Sequence, residues 1–160
     1  MRKTLAFIVL LVALVSFSSA FNAPEIDTKV GAIAPNITIG NSDSQFPLSK
    51  YRGKYVVINF WSSDDAESRI RNIEISKFAN SNTNDDLVFA AVNFDRNADL
   101  FSSTLKIDNL DDKAQFFDKD GINSEVYKQF HLENGYNCYV INPEGKITAI
   151  NPDVRQLAEI

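Results

Sequence analysis

A run of acidic and hydroxyl residues follows a short apolar segment, in the sequence WSSDDAES from 61 to 68. Asp64, Asp65 and Glu67 could bind a cation such as calcium, and Asp65 could also act as a general acid or base, because carboxylates suit both tasks. However, the sequence places no histidine or second buried carboxylate beside Asp65. The simpler prediction is a helix that begins here, with Ser63 as its N-cap and with the carboxylates at the positive end of the helix dipole.

The chain contains one cysteine, Cys138, and one histidine, His131. A single cysteine cannot form an intramolecular disulfide, and these two residues cannot supply the nitrogen and sulfur ligands of a transition-metal site. We therefore expect no bound metal and no other cofactor. Cys138 could be a reactive thiol, but the favoured interpretation is a small apolar residue within a strand. His131 is predicted to lie on the surface at the end of a helix.

The first residues of the chain predict export. Arg2 and Lys3 precede a long apolar run, and a small-residue cleavage site ends at Ala20, which is typical of a signal peptide over residues 1–20. The apolar run is short for a membrane span, so we predict a periplasmic or secreted protein whose mature chain is not inserted in a membrane. Cleavage would change the formal net charge from −5 to −7. This acidic balance disfavours binding to nucleic acid.

The rest of the chain alternates between strand and helix patterns. Apolar runs rich in valine predict buried strands at 54–61 and 87–95. Apolar residues at three- and four-residue steps predict a helix from about 64 to 79, whose inward face would include Ile70 and Phe78. Further predicted elements are an edge strand at 36–39, a loop at 40–45, helices at 98–105, 124–132 and 153–160, a strand at 114–118 and a hairpin at 137–150. This order predicts an α/β fold, with helices on both faces of a central mixed β-sheet.

Three segments resemble the thioredoxin-like superfamily, most closely its exported redoxin branch of thiol-specific antioxidant proteins and periplasmic disulfide reductases. VGAIAPNITI at 30–39 is similar to the lead-in of that branch, where a glycine and an Ala-Pro step precede the first strand. PLSKYRGKYVVINFW at 47–61 resembles its Leu-Ser step, Arg-Gly-Lys turn, buried strand and aromatic-Trp pair. YVINPEGKI at 139–147 resembles its hairpin. The order and spacing of these segments imply a thioredoxin-like fold and a single domain over residues 21–160.

The same resemblance shows which residues are missing. Active relatives carry a Cys-x-x-Cys pair after the tryptophan, and those positions fall at Asp65 and Ser68. A carboxylate does not attack a disulfide and a hydroxyl forms no stable bond to sulfur, so no catalytic residue remains there. The relatives' cis-proline falls at Tyr136. We expect a trans peptide bond at that position, because a non-proline cis bond costs about 2.5–4 kcal/mol.

Three functions remain compatible with the sequence. The favoured one is a non-catalytic module that binds a protein or peptide of the cell envelope. Its candidate groove would be bordered by Trp61, Asp64, Asp65, Ser68 and Tyr136. The alternatives are a one-cysteine redox protein that works through Cys138 and a structural subunit of an envelope assembly.

Overall fold

A five-stranded sheet is the centre of the computed structural model, which describes residues 27–41 and 44–160. The predicted signal peptide at 1–20 lies outside the described residues. The strands are β1 Thr38–Asn41, β2 Ser44–Pro47, β3 Tyr55–Trp61, β4 Leu87–Asn93, β5 Gln115–Phe117, β6 Cys138–Ile141 and β7 Ile147–Ile150. The α-helices are α1 Ala66–Ser81, α2 Ala98–Ile107, α3 Glu125–Gln129 and α4 Val154–Leu157. None of these described helices combines the length and apolar character that crossing a membrane requires.

The order of strands in the sheet is β5-β4-β3-β6-β7. The first three run parallel to one another, whereas β6 is antiparallel to β3 and β7 is antiparallel to β6. The predicted mixed sheet is therefore confirmed. Its register places Asn59 of β3 opposite Cys138 of β6, and Trp61 opposite Asn93 of β4.

Both faces of the sheet are covered by helices, as predicted. On one face Val57 clusters with Ile75 of α1 and Leu157 of α4, while Trp61 packs with Leu105 of α2. The other face carries the largest apolar cluster, to which α3 and the β1–β2 hairpin contribute. Its members include Ile39, Phe46, Phe60, Val126 and Phe130.

The N-terminal part of the domain corrects the sequence prediction. The predicted edge strand at 36–39 and loop at 40–45 are instead a separate antiparallel hairpin made of β1 and β2. Ile39 pairs with Phe46 across this hairpin, and both side chains are buried. The strand β2 has the sequence SQFP, which is too short and too polar to show an apolar alternation.

The predicted inward face of helix α1 is only partly correct: Phe78 packs against the core as predicted, whereas Ile70 does not. Ile70 is 58% exposed, whereas Ser68, Asn72 and Ile75 are buried. The helix begins at Ala66, later than the predicted start at about residue 64. The buried amide of Asn72 is satisfied because it accepts a hydrogen bond from Asn59 Nδ2 and donates another to Gln115 Oε1.

The segment that follows α3 is tighter than the predicted helix at 124–132. Helix α3 ends at Gln129, His131 adopts a left-handed conformation with φ 53°, and a 3-10 helix spans Leu132–Asn134. Leu132 is buried, and its side chain anchors this turn to the core. The turn leads directly into Tyr136, so it determines where that residue lies.

The terminal hairpin and last helix follow the predicted turn chemistry. Gly145 has a φ of +82°, a conformation that residues with side chains rarely adopt, so glycine is strongly favoured at this turn. Asp153 is the N-cap of α4, as predicted, and forms a capping box with Gln156. The helix is shorter than predicted and ends at Leu157.

Candidate functional site

Asp65 and Ser68, which the resemblance predicts to stand at the relatives' cysteine positions, form the cap of α1. Asp65 is the N-cap, and its carboxylate accepts a hydrogen bond from the backbone N–H of Ser68 at 2.8 Å. The Ser68 hydroxyl donates to the Asp65 carbonyl at 3.2 Å and accepts from the Ser62 N–H at 3.3 Å. Such caps stabilise a helix by about 0.5–2 kcal/mol. The helix end is therefore closed by side chains that cannot exchange disulfides.

The prediction of Ser63 as the N-cap is wrong, because a buried carboxylate engages that serine. Asp95, which is only 4% exposed, accepts hydrogen bonds from the Ser62 hydroxyl at 3.0 Å and the Ser63 N–H at 2.7 Å. The Ser63 hydroxyl contacts the other Asp95 oxygen and Thr104 of α2. Asp95 thus fixes the connection between β3 and α1.

Sequence reasoning missed Asp95 as part of this site. The available signal was its position just beyond β4, which runs parallel to β3, so that both strands end at the same edge of the sheet. A carboxylate at that edge lies near whatever follows Trp61. Its pairing with the two serines could not be read from the local pattern.

Tyr136 lies against an aromatic neighbour rather than in an open loop. No peptide bond among the described residues is cis, so the bond before Tyr136 is trans, as predicted. Its ring stacks on Phe94 with centroids 5.9 Å apart and an interplanar angle of 15°. The guanidinium of Arg71, on α1, donates to the Tyr136 carbonyl at 3.0 Å. Both the ring and the carbonyl of this residue are thus engaged by the protein itself.

The electrostatic surroundings of Tyr136 place its hydroxyl beside the α1 cap. Burial raises the pKa of Tyr136 to about 12, and the neighbouring Tyr127 and the carboxylates of Asp65 and Asp95 act in the same direction. A side-chain hydrogen bond with Ser62 opposes this rise in pKa. The phenol is therefore neutral at physiological pH.

Only part of the predicted groove reaches the surface. Trp61 and Ser68 are fully buried, so they support the site from beneath rather than border it. Asp64, Asp65 and Tyr136 retain exposed surface, and the Asp64 carboxylate pairs with Arg96 at 3.3 Å. We call these three residues the cap surface.

Arg69, in the first turn of α1, is held by an ion pair. Its Nε and Nη2 atoms donate to the two oxygens of Asp108 at 2.8 and 2.6 Å. Hydrogen bonding to this carboxylate raises the pKa of Arg69. Because Asp108 is the C-cap residue of α2, the pair joins the start of α1 to the end of α2.

Cys138 is remote from solvent. Its side chain is 0% exposed and belongs to the cluster of Val57, Ile75 and Val140, beneath α1. Burial raises the pKa of the Cys138 thiol to about 12, although the charge of Arg71 opposes this. The net rise in pKa suppresses the thiolate, which is the reactive form. The geometry favours the interpretation of Cys138 as a core residue.

We predict that native Cys138 resists alkylation. At about pH 8, near the ordinary pKa of a thiol, iodoacetamide should leave the folded protein unmodified and add one group after unfolding in guanidinium. Intact mass spectrometry measures the difference, with Cys138→Ser as the blank. Alkylation of the folded protein at the unfolded rate would contradict the buried position of this thiol.

Carboxylates of the cap surface do not form a cation cage. Across residues 27–41 and 44–160, no group of three or more histidine, cysteine, aspartate or glutamate side chains is placed to hold a metal ion. The acidic residues at the start of α1 instead make helix-cap and ion-pair contacts.

Comparisons with known proteins cover most of the described chain. The AhpC/TSA family matches residues 30–150. A thioredoxin-like protein from Parabacteroides distasonis is 33% identical, covers 82% of this chain and 93% of its own, and superimposes with a TM-score of 0.69. The thioredoxin domain of a thiol-disulfide oxidoreductase from Bacteroides vulgatus is 22% identical, with coverage of 83% and 97% and a TM-score of 0.68.

A more distant structure is a secreted disulfide oxidoreductase from Mycobacterium tuberculosis. It is 16% identical, covers 78% of this chain and 92% of its own, and has a TM-score of 0.61. No curated protein matches the sequence. The solved structures confirm the predicted thioredoxin-like fold.

Proposed function

This chain belongs to the AhpC/TSA family, and we propose that it is a member without thiol chemistry that binds a protein or peptide at the cap surface. The observation that carries the proposal is the closed N-terminus of α1. A redox relative needs a thiolate and a resolving thiol there, whereas here Asp65 caps the helix and Ser68 is buried in its first turn.

The alternative of a one-cysteine redox protein has less support. Its thiol would have to reach a substrate, but Cys138 is buried beneath α1. A burial-raised pKa also keeps the thiol protonated at neutral pH. Access would require α1 to leave the sheet, with loss of the apolar contacts around Ile75. The other alternative is a structural subunit of an envelope assembly. In that role the fold would serve as a scaffold, and the cap surface would not be needed for binding.

The chemistry of the cap surface indicates what kind of partner it would take. It offers an exposed carboxylate on Asp64 and the partly exposed aromatic side chain of Tyr136. The overall acidic charge adds long-range attraction for cationic partners. We propose a basic or hydrogen-bond-donating segment of an envelope protein as the partner, since the predicted signal peptide would export the chain to that compartment.

Cross-linking in an envelope extract tests this proposal. We expect the mature protein to capture a partner, and Tyr136→Ala to reduce capture strongly, because an interface tyrosine that acts as a hot spot contributes about 2 kcal/mol or more. Asp64→Asn should weaken capture, and more so at low salt.

Asp120→Asn is the matched control. Like Asp64, Asp120 is an exposed aspartate in an exposed ion pair, here with Lys119 at 3.4 Å. If all three variants capture the same partner equally well, the cap surface is not the binding site. Binding would then have to use another face, as the structural-subunit alternative requires.

A further inference from the structure

The turn that precedes Tyr136 contains the one Asn–Gly step in the sequence, Asn134–Gly135. Both residues are exposed. Asparagine followed by glycine is chemically labile, because glycine has no side chain to hinder attack of its backbone nitrogen on the asparagine amide. The proposed function does not depend on this Asn–Gly pair.

The turn holds the reacting groups in a defined but weakly protected arrangement. Gly135 N–H donates to the carbonyl of Leu132 at 3.1 Å, and Leu132 is 2% exposed, so the acceptor is anchored in the core. Gly135 itself has a φ of +125° and a ψ of 155°. A Cβ atom at Gly135 would have no heavy atom within 4 Å apart from its chain neighbours, so the space on that side of Gly135 is open.

We propose that Asn134 is a modification site at which the chain converts to aspartate and isoaspartate through a succinimide. The backbone nitrogen of Gly135 attacks Cγ of Asn134, the new C–N bond closes the ring, and the Cγ–Nδ2 bond breaks. The amide proton of Gly135 passes to the leaving Nδ2 group, which departs as ammonia. Water then adds to either ring carbonyl, and no oxidant or reductant takes part.

The hydrogen bond from Gly135 to Leu132 controls how fast the ring forms. The nitrogen must leave this bond before it can attack, so the reaction proceeds from a locally opened turn. The net stability of one such hydrogen bond corresponds to about 2- to 10-fold protection. Folding therefore slows the reaction at this site without preventing it.

The products change the approach to Tyr136. Either product places a new carboxylate beside Glu133, which is exposed in the same turn. Isoaspartate also inserts an extra carbon into the backbone just ahead of Tyr136, whose carbonyl is held by Arg71. The modification thus alters both the charge and the path of the segment that positions this tyrosine.

The proposal is tested by incubating the full mature chain at about pH 8. This pH is above neutral, so the backbone amide nitrogen is more readily deprotonated. Peptide mass spectrometry should show amide-to-acid conversion at Asn134, with both aspartate and isoaspartate forms, and a matching release of ammonia. Asn80 is the internal control, because it is exposed on α1 but is followed by serine. In urea, conversion at Asn134 should be about 2- to 10-fold faster than in the folded protein.

Asn134→Gln should fold and remove most of the ammonia release, since the longer side chain closes a less favourable ring. Conversion at Asn134 no faster than at Asn80 would overturn the assignment. Equal rates of conversion at Asn134 in the folded and unfolded protein would show that the hydrogen bond from Gly135 to Leu132 does not control the reaction. Ammonia release unchanged by Asn134→Gln would show that another residue reacts.

Discussion

The double substitution Asp65→Cys, Ser68→Cys is expected to produce an intramolecular disulfide in a chain that cannot otherwise form one. The Asp65 side chain already reaches across the first turn of α1 to within 2.8 Å of the Ser68 N–H. A disulfide requires Cβ atoms about 3.5–4.5 Å apart, which an N-cap residue and the residue three positions later can satisfy. The helix N-terminus would also lower the pKa of the first thiol.

Thiol titration and intact mass after equilibration with oxidised and reduced glutathione measure this disulfide. The single variants Asp65→Cys and Ser68→Cys are the controls, and neither should form an intramolecular bond with the buried Cys138. Loss of the Asp65 cap should cost the reduced protein about 0.5–2 kcal/mol. A folded double variant whose new thiols stay free under oxidising conditions would show that these positions do not correspond to the relatives' cysteine pair.

Replacing Arg69 by methionine is expected to lower the free energy of unfolding by about 2–3 kcal/mol. The substitution would leave the Asp108 carboxylate, whose side chain is 7% exposed, without its partner. Breaking a fully buried pair costs about 3–5 kcal/mol, and this cost is smaller here because the Arg69 side chain is 31% exposed. Urea denaturation measures the change.

Arg96→Met provides the matched control for Arg69→Met. The pair of Arg96 with Asp64 is exposed on both sides, so its loss should cost about 0–1 kcal/mol. The double variant Arg69→Met, Asp108→Asn should recover part of the loss, because the buried charge is removed with its partner. If Arg69→Met and Arg96→Met lower the free energy of unfolding by the same amount, the Arg69–Asp108 ion pair does not hold α1 to α2.

The sheet and the order of its helices could be predicted because their signals are local. The valine-rich runs that became β3 and β4 carry strand patterns in consecutive residues. The turn at Gly145 and the cap at Asp153 depend on neighbours within four residues. The hairpin strand β2 was missed, since its apolar face consists essentially of Phe46, which needs its partner Ile39 to be recognised.

The sequence could not predict which face of α1 is buried or which residues hold the start of α1 in place. Contacts between segments that are distant in the sequence decide both. Ser63 is a good N-cap residue by type, but Asp95, 32 positions later, engages it and the cap moves to Asp65. Packing against the sheet also leaves Ile70 exposed and buries Asn72. The amide of Asn72 can be buried because it donates a hydrogen bond to Gln115. Gln115 lies on β5, far from Asn72 in the sequence. Each of these choices needs two distant segments to be placed together first.

The reduction of insulin disulfides by the purified mature protein tests the central claim most directly. We expect turnover with dithiothreitol at the rate of buffer alone, and the same rate for Cys138→Ser, because Asp65 and Ser68 provide no thiol and Cys138 is buried. Turnover above buffer that survives Cys138→Ser would contradict the assignment of the closed α1 cap as a site without redox chemistry. Turnover that Cys138→Ser abolishes would contradict the non-catalytic proposal and establish the one-cysteine alternative.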